Sequence, residues 1–66
     1  MQITVNGEDK ALTGTMTIED FLQNLGINPR KVAVERNLEI VPKSTFGTAM
    51  VEDGDRLEIV HFIGGG

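Results

Sequence analysis

The sequence predicts a small α+β domain of two layers, with one helix covering one face of a mixed sheet. Three observations point there. Residues Met1–Val5 alternate with period two, Ile3 and Val5 on one side and Gln2 and Thr4 on the other, which is the pattern of a strand. Ile18, Phe21, Leu22 and Leu25 fall at i, i+3, i+4 and i+7, so they lay one apolar stripe along a helix. Val32–Arg36 and Arg56–Phe62 then return to period two.

The elements follow in order. Asn6-Gly7 is the strongest short hairpin signal, because both central residues of a type I′ turn need positive φ. A second short strand is expected around Lys10–Leu12, and Gly14 ends it. Thr17-Ile18-Glu19-Asp20 has the shape of a capping box. Thr17 accepts from the backbone N–H three residues on, and Asp20, although shorter than the preferred Glu or Gln, reaches back. Glu19 and Asp20 also suit the positive end of the helix dipole. Gly26 stands where a left-handed cap ends the helix, and Pro29 prevents an immediate restart. Val32 and Val34 point inward from the next strand. Asn37 is a turn residue, and Ile40-Val41 is a short strand stopped by Pro42. Lys43–Thr48 is a connector from which Phe46 reaches the core. Met50-Val51 begins another extended piece, and Asp53-Gly54-Asp55 turns the chain into its last strand.

Sixty-six residues make one domain, close to the lower limit for folding without a staple. With no cysteine, the chain offers no disulfide, no thiolate metal site and no cysteine nucleophile, which fits a cytoplasmic location. No apolar run approaches the roughly 20 residues that span a bilayer, and the N-terminus lacks the charged-then-apolar order of a signal peptide. A net charge of −4 argues against nucleic acid, whose phosphates need clustered Lys and Arg. The acidic excess instead suits a basic partner.

The end of the sequence is the most unusual part. An apolar run, Leu57–Ile63, leads directly into Gly64-Gly65-Gly66. Glycine lacks Cβ and tolerates backbone angles closed to other residues, so such a tail is thin and ends in a carboxylate that fits a narrow channel. A frayed terminus or a linker remnant is the plainer alternative. Frayed ends more often carry mixed polar residues than a pure glycine run. The expected division is therefore a folded domain over residues 1–63 and a flexible glycine tail over 64–66.

The order strand, strand, helix, strand, short strand, last strand becomes a β-grasp when the first and last strands lie parallel at the sheet centre. A mixed sheet of four to five strands with one main helix follows. Periodicity supplies the two layers but not the strand order. On the same residues the chain resembles the thiamine-pathway sulfur carriers, a family of ubiquitin-like β-grasp proteins. The resemblance spans essentially the whole chain. It is most specific in Val34-Glu35-Arg36-Asn37, in Glu39-Ile40-Val41-Pro42, in Asp53-Gly54-Asp55, and in Glu58-Ile59-Val60-His61-Phe62 leading into the glycines. Several carrier branches share the Gly-Gly end. The Val-Glu-Arg-Asn and Val-His-Phe segments favour the thiamine branch.

The resemblance implies a non-enzymatic carrier, monomeric when free. A partner enzyme adenylates the Gly66 carboxylate with ATP, a sulfur-donating persulfide protein supplies sulfur, and the thiocarboxylate delivers it to thiazole synthase. It implies no cofactor bound by the chain itself, no nucleic acid and no membrane. The chemistry is consistent with the residues present. A carboxylate is a poor electrophile until its oxygen joins a good leaving group, and AMP is one. The chain lacks a Gly-x-x-x-x-Gly-Lys phosphate loop, which assigns ATP handling to the partner. A carrier for molybdopterin, cysteine or tRNA thiolation shares this chemistry, as does a ubiquitin-like modifier joined to lysines.

Gly66 is thus the expected site of sulfur attachment, Gly65 the residue fitted to the partner's channel, and Gly64 a spacer. If Leu57 and Ile59 face the core, then Glu58, Val60 and Phe62 face away from it, on a side no helix covers. Exposed apolar residues beside the tail mark a partner surface, and Ala33 extends it. The opposing expectation is that Phe62 tucks back against its own domain. His61 has no visible nucleophile or ligand companion and reads as structural. Glu35-Arg36 reads as a solvated charge pair, Asp53-Gly54-Asp55 as a plain turn, and the helix stripe from Ile18 to Leu25 as core.

Overall fold

Alternation in the sequence becomes register in the computed structural model, which describes residues 1–62. Strand β1 (Gln2–Val5) turns at Asn6-Gly7 into β2 (Glu8–Ala11), pairing antiparallel from Gln2–Ala11 to Val5–Glu8. Both turn residues have positive φ, Asn6 at 49° and Gly7 at 83°, as a type I′ turn requires. A two-residue strand β3 (Met16–Thr17) leads into helix α1 (Ile18–Asn24). After a 3-10 turn at Pro29–Lys31 come β4 (Val32–Arg36), β5 (Glu39–Ile40), a second 3-10 turn at Lys43–Thr45, β6 (Met50–Val51) and β7 (Arg56–His61).

The main sheet has five strands in the order β2-β1-β7-β4-β5, while β3 and β6 form a separate two-stranded ladder. β7 runs parallel to β1 and antiparallel to β4, so the first and last strands are neighbours at the centre. The expected β-grasp order is the one observed.

The helix begins as its capping signal predicts, with Asp20 N–H donating to Thr17 Oγ1 at 3.1 Å. The reciprocal bond from the Asp20 carboxylate is not among those made by the described residues. Aspartate is one methylene short, and Thr17 already belongs to β3, opposite Met50. Two further donors at this end find carbonyls in the connector: Ile18 N–H bonds Ala49 O and Glu19 N–H bonds Phe46 O, both at 2.9 Å. The expected connector therefore caps the helix as well as supplying Phe46 to the core. At the other end Gly26 adopts φ 76°, and Ile27 N–H reaches back to Leu22 O at 2.9 Å. The left-handed residue reverses the chain and satisfies a carbonyl the helix leaves open.

The core lies between α1 and the sheet and is built from Ile3, Val5, Ile18, Phe21, Leu22, Val32, Val34, Val41, Phe46, Val51, Leu57 and Ile59. One expectation fails here. Leu25, read as the fourth core position of the helical stripe, is 37% exposed. It is the helix C-cap, so the chain has already begun to turn where the stripe would have continued. The short strands are also shifted: the second spans Glu8–Ala11 rather than Lys10–Leu12, and the one before Pro42 spans Glu39–Ile40. Val41 still donates its N–H to Val34 O at 2.9 Å and buries its side chain.

Ile63 and the glycine tail, 64–66, lie outside the described residues, and with them the expected boundary between residues 63 and 64.

Candidate partner-docking face

The central position of β7 decides what surrounds the last described residues. Leu57 and Ile59 are buried toward the helix, so alternation directs Glu58 and Val60 to the uncovered face of the sheet. β4 is the antiparallel neighbour and places Ala33 opposite Val60 and Glu35 opposite Glu58. β5 continues the row with Ile40 opposite Glu35. Val60 is 60% exposed and Ile40 66%, whereas Ala33, Glu35 and Glu58 are partly covered by their neighbours. This face therefore carries two apolar side chains at open positions with two carboxylates between them. Like charges directly opposite across a ladder repel, and Glu35 and Glu58 are so placed, each half-buried.

Phe62 ends between the two arrangements the sequence leaves open. It remains 48% exposed, yet Lys43 Nζ lies 4.5 Å from the centre of its ring. Its N–H donates to Lys31 O at 2.9 Å, which carries the β4–β7 pairing one residue beyond the strand. His61 is exposed at the same end of the sheet, opposite Val32. Among the described residues there is no group of three or more His, Cys, Asp or Glu side chains arranged to hold a metal ion.

Glu35 and Arg36 are not the charge pair that adjacency suggests. Successive strand residues point to opposite faces, and Arg36 Nη1 donates to Met50 O at 2.6 Å, tying β4 to β6. Asn37 and the Asp53-Gly54-Asp55 turn form a second tie. Asn37 Nδ2 donates to Asp55 Oδ1 at 3.1 Å, Arg56 N–H donates to Asn37 Oδ1 at 3.0 Å, and Glu52 N–H donates to Asp55 Oδ2 at 2.8 Å. The turn also grips β1, since Gln2 N–H donates to Asp53 Oδ1 and Gly54 N–H to Gln2 O, both at 2.7 Å. These motif residues fix the strand ends that carry the open face. Sequence reasoning missed Ile40 as part of that face, although its place between Glu39 and Val41 follows period two. It also missed Lys43, for which spacing carries no signal.

The strand order and the parallel central pair define a ubiquitin-like β-grasp protein whose last described residues leave from the middle strand. The family model described as the ThiS family matches residues 3–66, and the chain belongs to that family. It is 42% identical over 65 residues to a Bacillus subtilis protein named sulfur carrier protein ThiS, covering 97% of this chain and 98% of that one. A crystal structure of the thiamine biosynthesis protein ThiS from Geobacter metallireducens superposes with a TM-score of 0.86 at 33% identity, each chain covered completely. A relative named thiazole synthase, from Paramagnetospirillum magneticum, is 58% identical over all 66 residues, which span only 20% of that protein's length. A second thiazole synthase, from Magnetococcus marinus, is matched at 46% identity over the same 20% share.

Proposed function

We propose that this chain is the sulfur carrier of thiazole formation in thiamine biosynthesis, working in the cytoplasm as a protein co-substrate rather than as an enzyme. The observation that carries the reading is the match to the ThiS family through residue 66, glycine run included, together with near full-length likeness to a Bacillus sulfur carrier. The two thiazole synthase relatives, which contain a region alike to the whole of this chain, favour thiazole synthase as the acceptor.

In this reading a Gly66 carboxylate oxygen attacks the α-phosphorus of ATP on an adenylating partner, and pyrophosphate leaves. A persulfide on the sulfur donor then attacks the carbonyl carbon and displaces AMP. A thiol reduces the resulting acyl disulfide and frees the thiocarboxylate. Gly65 and Gly64 carry no Cβ, so a partner can close on the backbone and hold the carboxylate in line, where misplacement costs heavily. ATP belongs to the partner, and the carrier itself holds no cofactor. The Val60–Ala33 pair, with Glu58 beside it and Phe62 beyond, supplies the docking face, to which a basic partner surface is the complement.

Intact mass after incubation with a cognate activating enzyme, ATP and a persulfide donor tests the reading. Replacement of one oxygen by sulfur, lost when Gly66 is deleted, is the expected result. Lysine conjugates without thiocarboxylate would instead make the chain a modifier.

A further inference from the structure

Phe62 is the last described residue, and two separate contacts converge on it. Its N–H is held by Lys31 O at 2.9 Å, at the end of the first 3-10 turn. The Lys43 ammonium lies 4.5 Å from its ring centre and also donates to Arg30 O at 2.8 Å, in that same turn. Lys43 is in turn seated by its own backbone, whose carbonyl accepts from Phe46 N–H at 3.1 Å while Phe46 fills the core. A lysine on an open surface normally samples many rotamers. This one spans two turns and a ring.

We propose that Lys43 is a positioning residue, a clamp that holds Phe62 against the Arg30-Lys31 turn and so sets the direction in which the chain leaves the sheet toward the glycines. This rests on the carrier reading for its consequence, though not for its geometry. A cation over a partly exposed phenyl ring is worth a factor of about 2–5 in an equilibrium. If the clamped arrangement is the one an activating enzyme accepts, losing it lowers the competent fraction and raises the apparent dissociation constant by the same factor. The adenylation step itself, once bound, is unchanged.

The test compares wild type, Lys43→Met and Lys43→Arg in the full chain. Methionine keeps an unbranched stem of comparable reach without the charge, and arginine keeps the cation over the ring. In proton NMR the Lys43 ε-methylene signals of the wild type are expected upfield through the ring current, with normal positions in Phe62→Leu. Lys43→Met is expected to raise the KM of the activating enzyme for the carrier about two- to fivefold at constant kcat, and Lys43→Arg to restore it. Unshifted ε-methylene signals, or wild-type KM in Lys43→Met, would overturn the clamp. A wild-type chain that is never adenylated would overturn the carrier reading separately. The ring-current measurement decides the clamp even then.

Discussion

Asn6 donates its own N–H to Leu57 O at 2.9 Å and then carries the β1–β7 ladder on to Ile59 with its side chain. At φ 49° the chain turns away from β7, yet Ile59 N–H donates to Asn6 Oδ1 at 2.7 Å and Asn6 Nδ2 donates to Ile59 O at 3.2 Å. The side-chain amide thus makes both bonds a further strand residue would have made. Asn6 serves as turn residue and sheet residue together, and it steadies β7 one residue before Val60.

Asn6→Gly keeps the turn geometry and removes only the amide. It should cost about 1–3 kcal/mol, the worth of two hydrogen bonds. Asn6→Ala should cost about 1 kcal/mol more, because alanine resists the left-handed conformation. Urea denaturation of both variants checks the order; equal costs would mean the turn strain is negligible.

Asp55 is buried, and its carboxylate accepts from Asn37 and from the Glu52 backbone. Asp55→Ala strands both donors, and about 2–4 kcal/mol of stability should be lost. Thermal unfolding measures it, and a shift of a degree or so would show that water replaces the carboxylate.

Val60→Asp is expected to fold within about 1 kcal/mol of wild type, since the side chain stands on the open face. Placed in the proposed interface, the new carboxylate should lower kcat/KM for adenylation by about tenfold or more. Pyrophosphate release provides the assay. An unaltered rate in a folded variant would remove Val60 from the docking face.

Glu35 and Glu58 stand opposite each other on that face, two like charges in register. Glu58→Lys converts repulsion to attraction and should add about 0.2–1 kcal/mol of stability. If the partner surface is basic, the same change should slow association most at low salt, where charge steering is strongest. Stopped-flow binding across a salt series reads this, and a salt-independent loss would point to shape instead.

Much of the fold is legible in the sequence because its signals are local. Thr17, Gly26 and the Ile18-Phe21-Leu22 stripe delimit the helix, and Asn6-Gly7 announces the first hairpin. β2 has little apolar alternation of its own, Glu-Asp-Lys-Ala being largely polar, and inherits its register from that turn. β3 escapes notice since two residues cannot display a period, and β6 is legible only as an extended piece at Met50-Val51, without its partner strand. The candidate site was legible in part: alternation alone sends Glu58 and Val60 outward. The motif residues Arg36, Asn37 and Asp55 read in sequence as a solvated charge and as turn residues, and only the structure shows their partners to be carbonyls, amides and one another. Lys43 meets Phe62 across 19 positions of chain, a separation that leaves no periodic trace.

The placement of β7 between β1 and β4 also governs when the molecule can exist during its own synthesis. Before Arg56–His61 emerges, the main sheet is two hairpin fragments, β1–β2 and β4–β5, with no strand joining them and with Leu57 and Ile59 missing from the core. Folding must therefore wait for the segment that leads into the glycines. A chain interrupted upstream of β7 has neither the joined sheet nor the strand that leads into the glycines, so the architecture separates complete copies from incomplete ones.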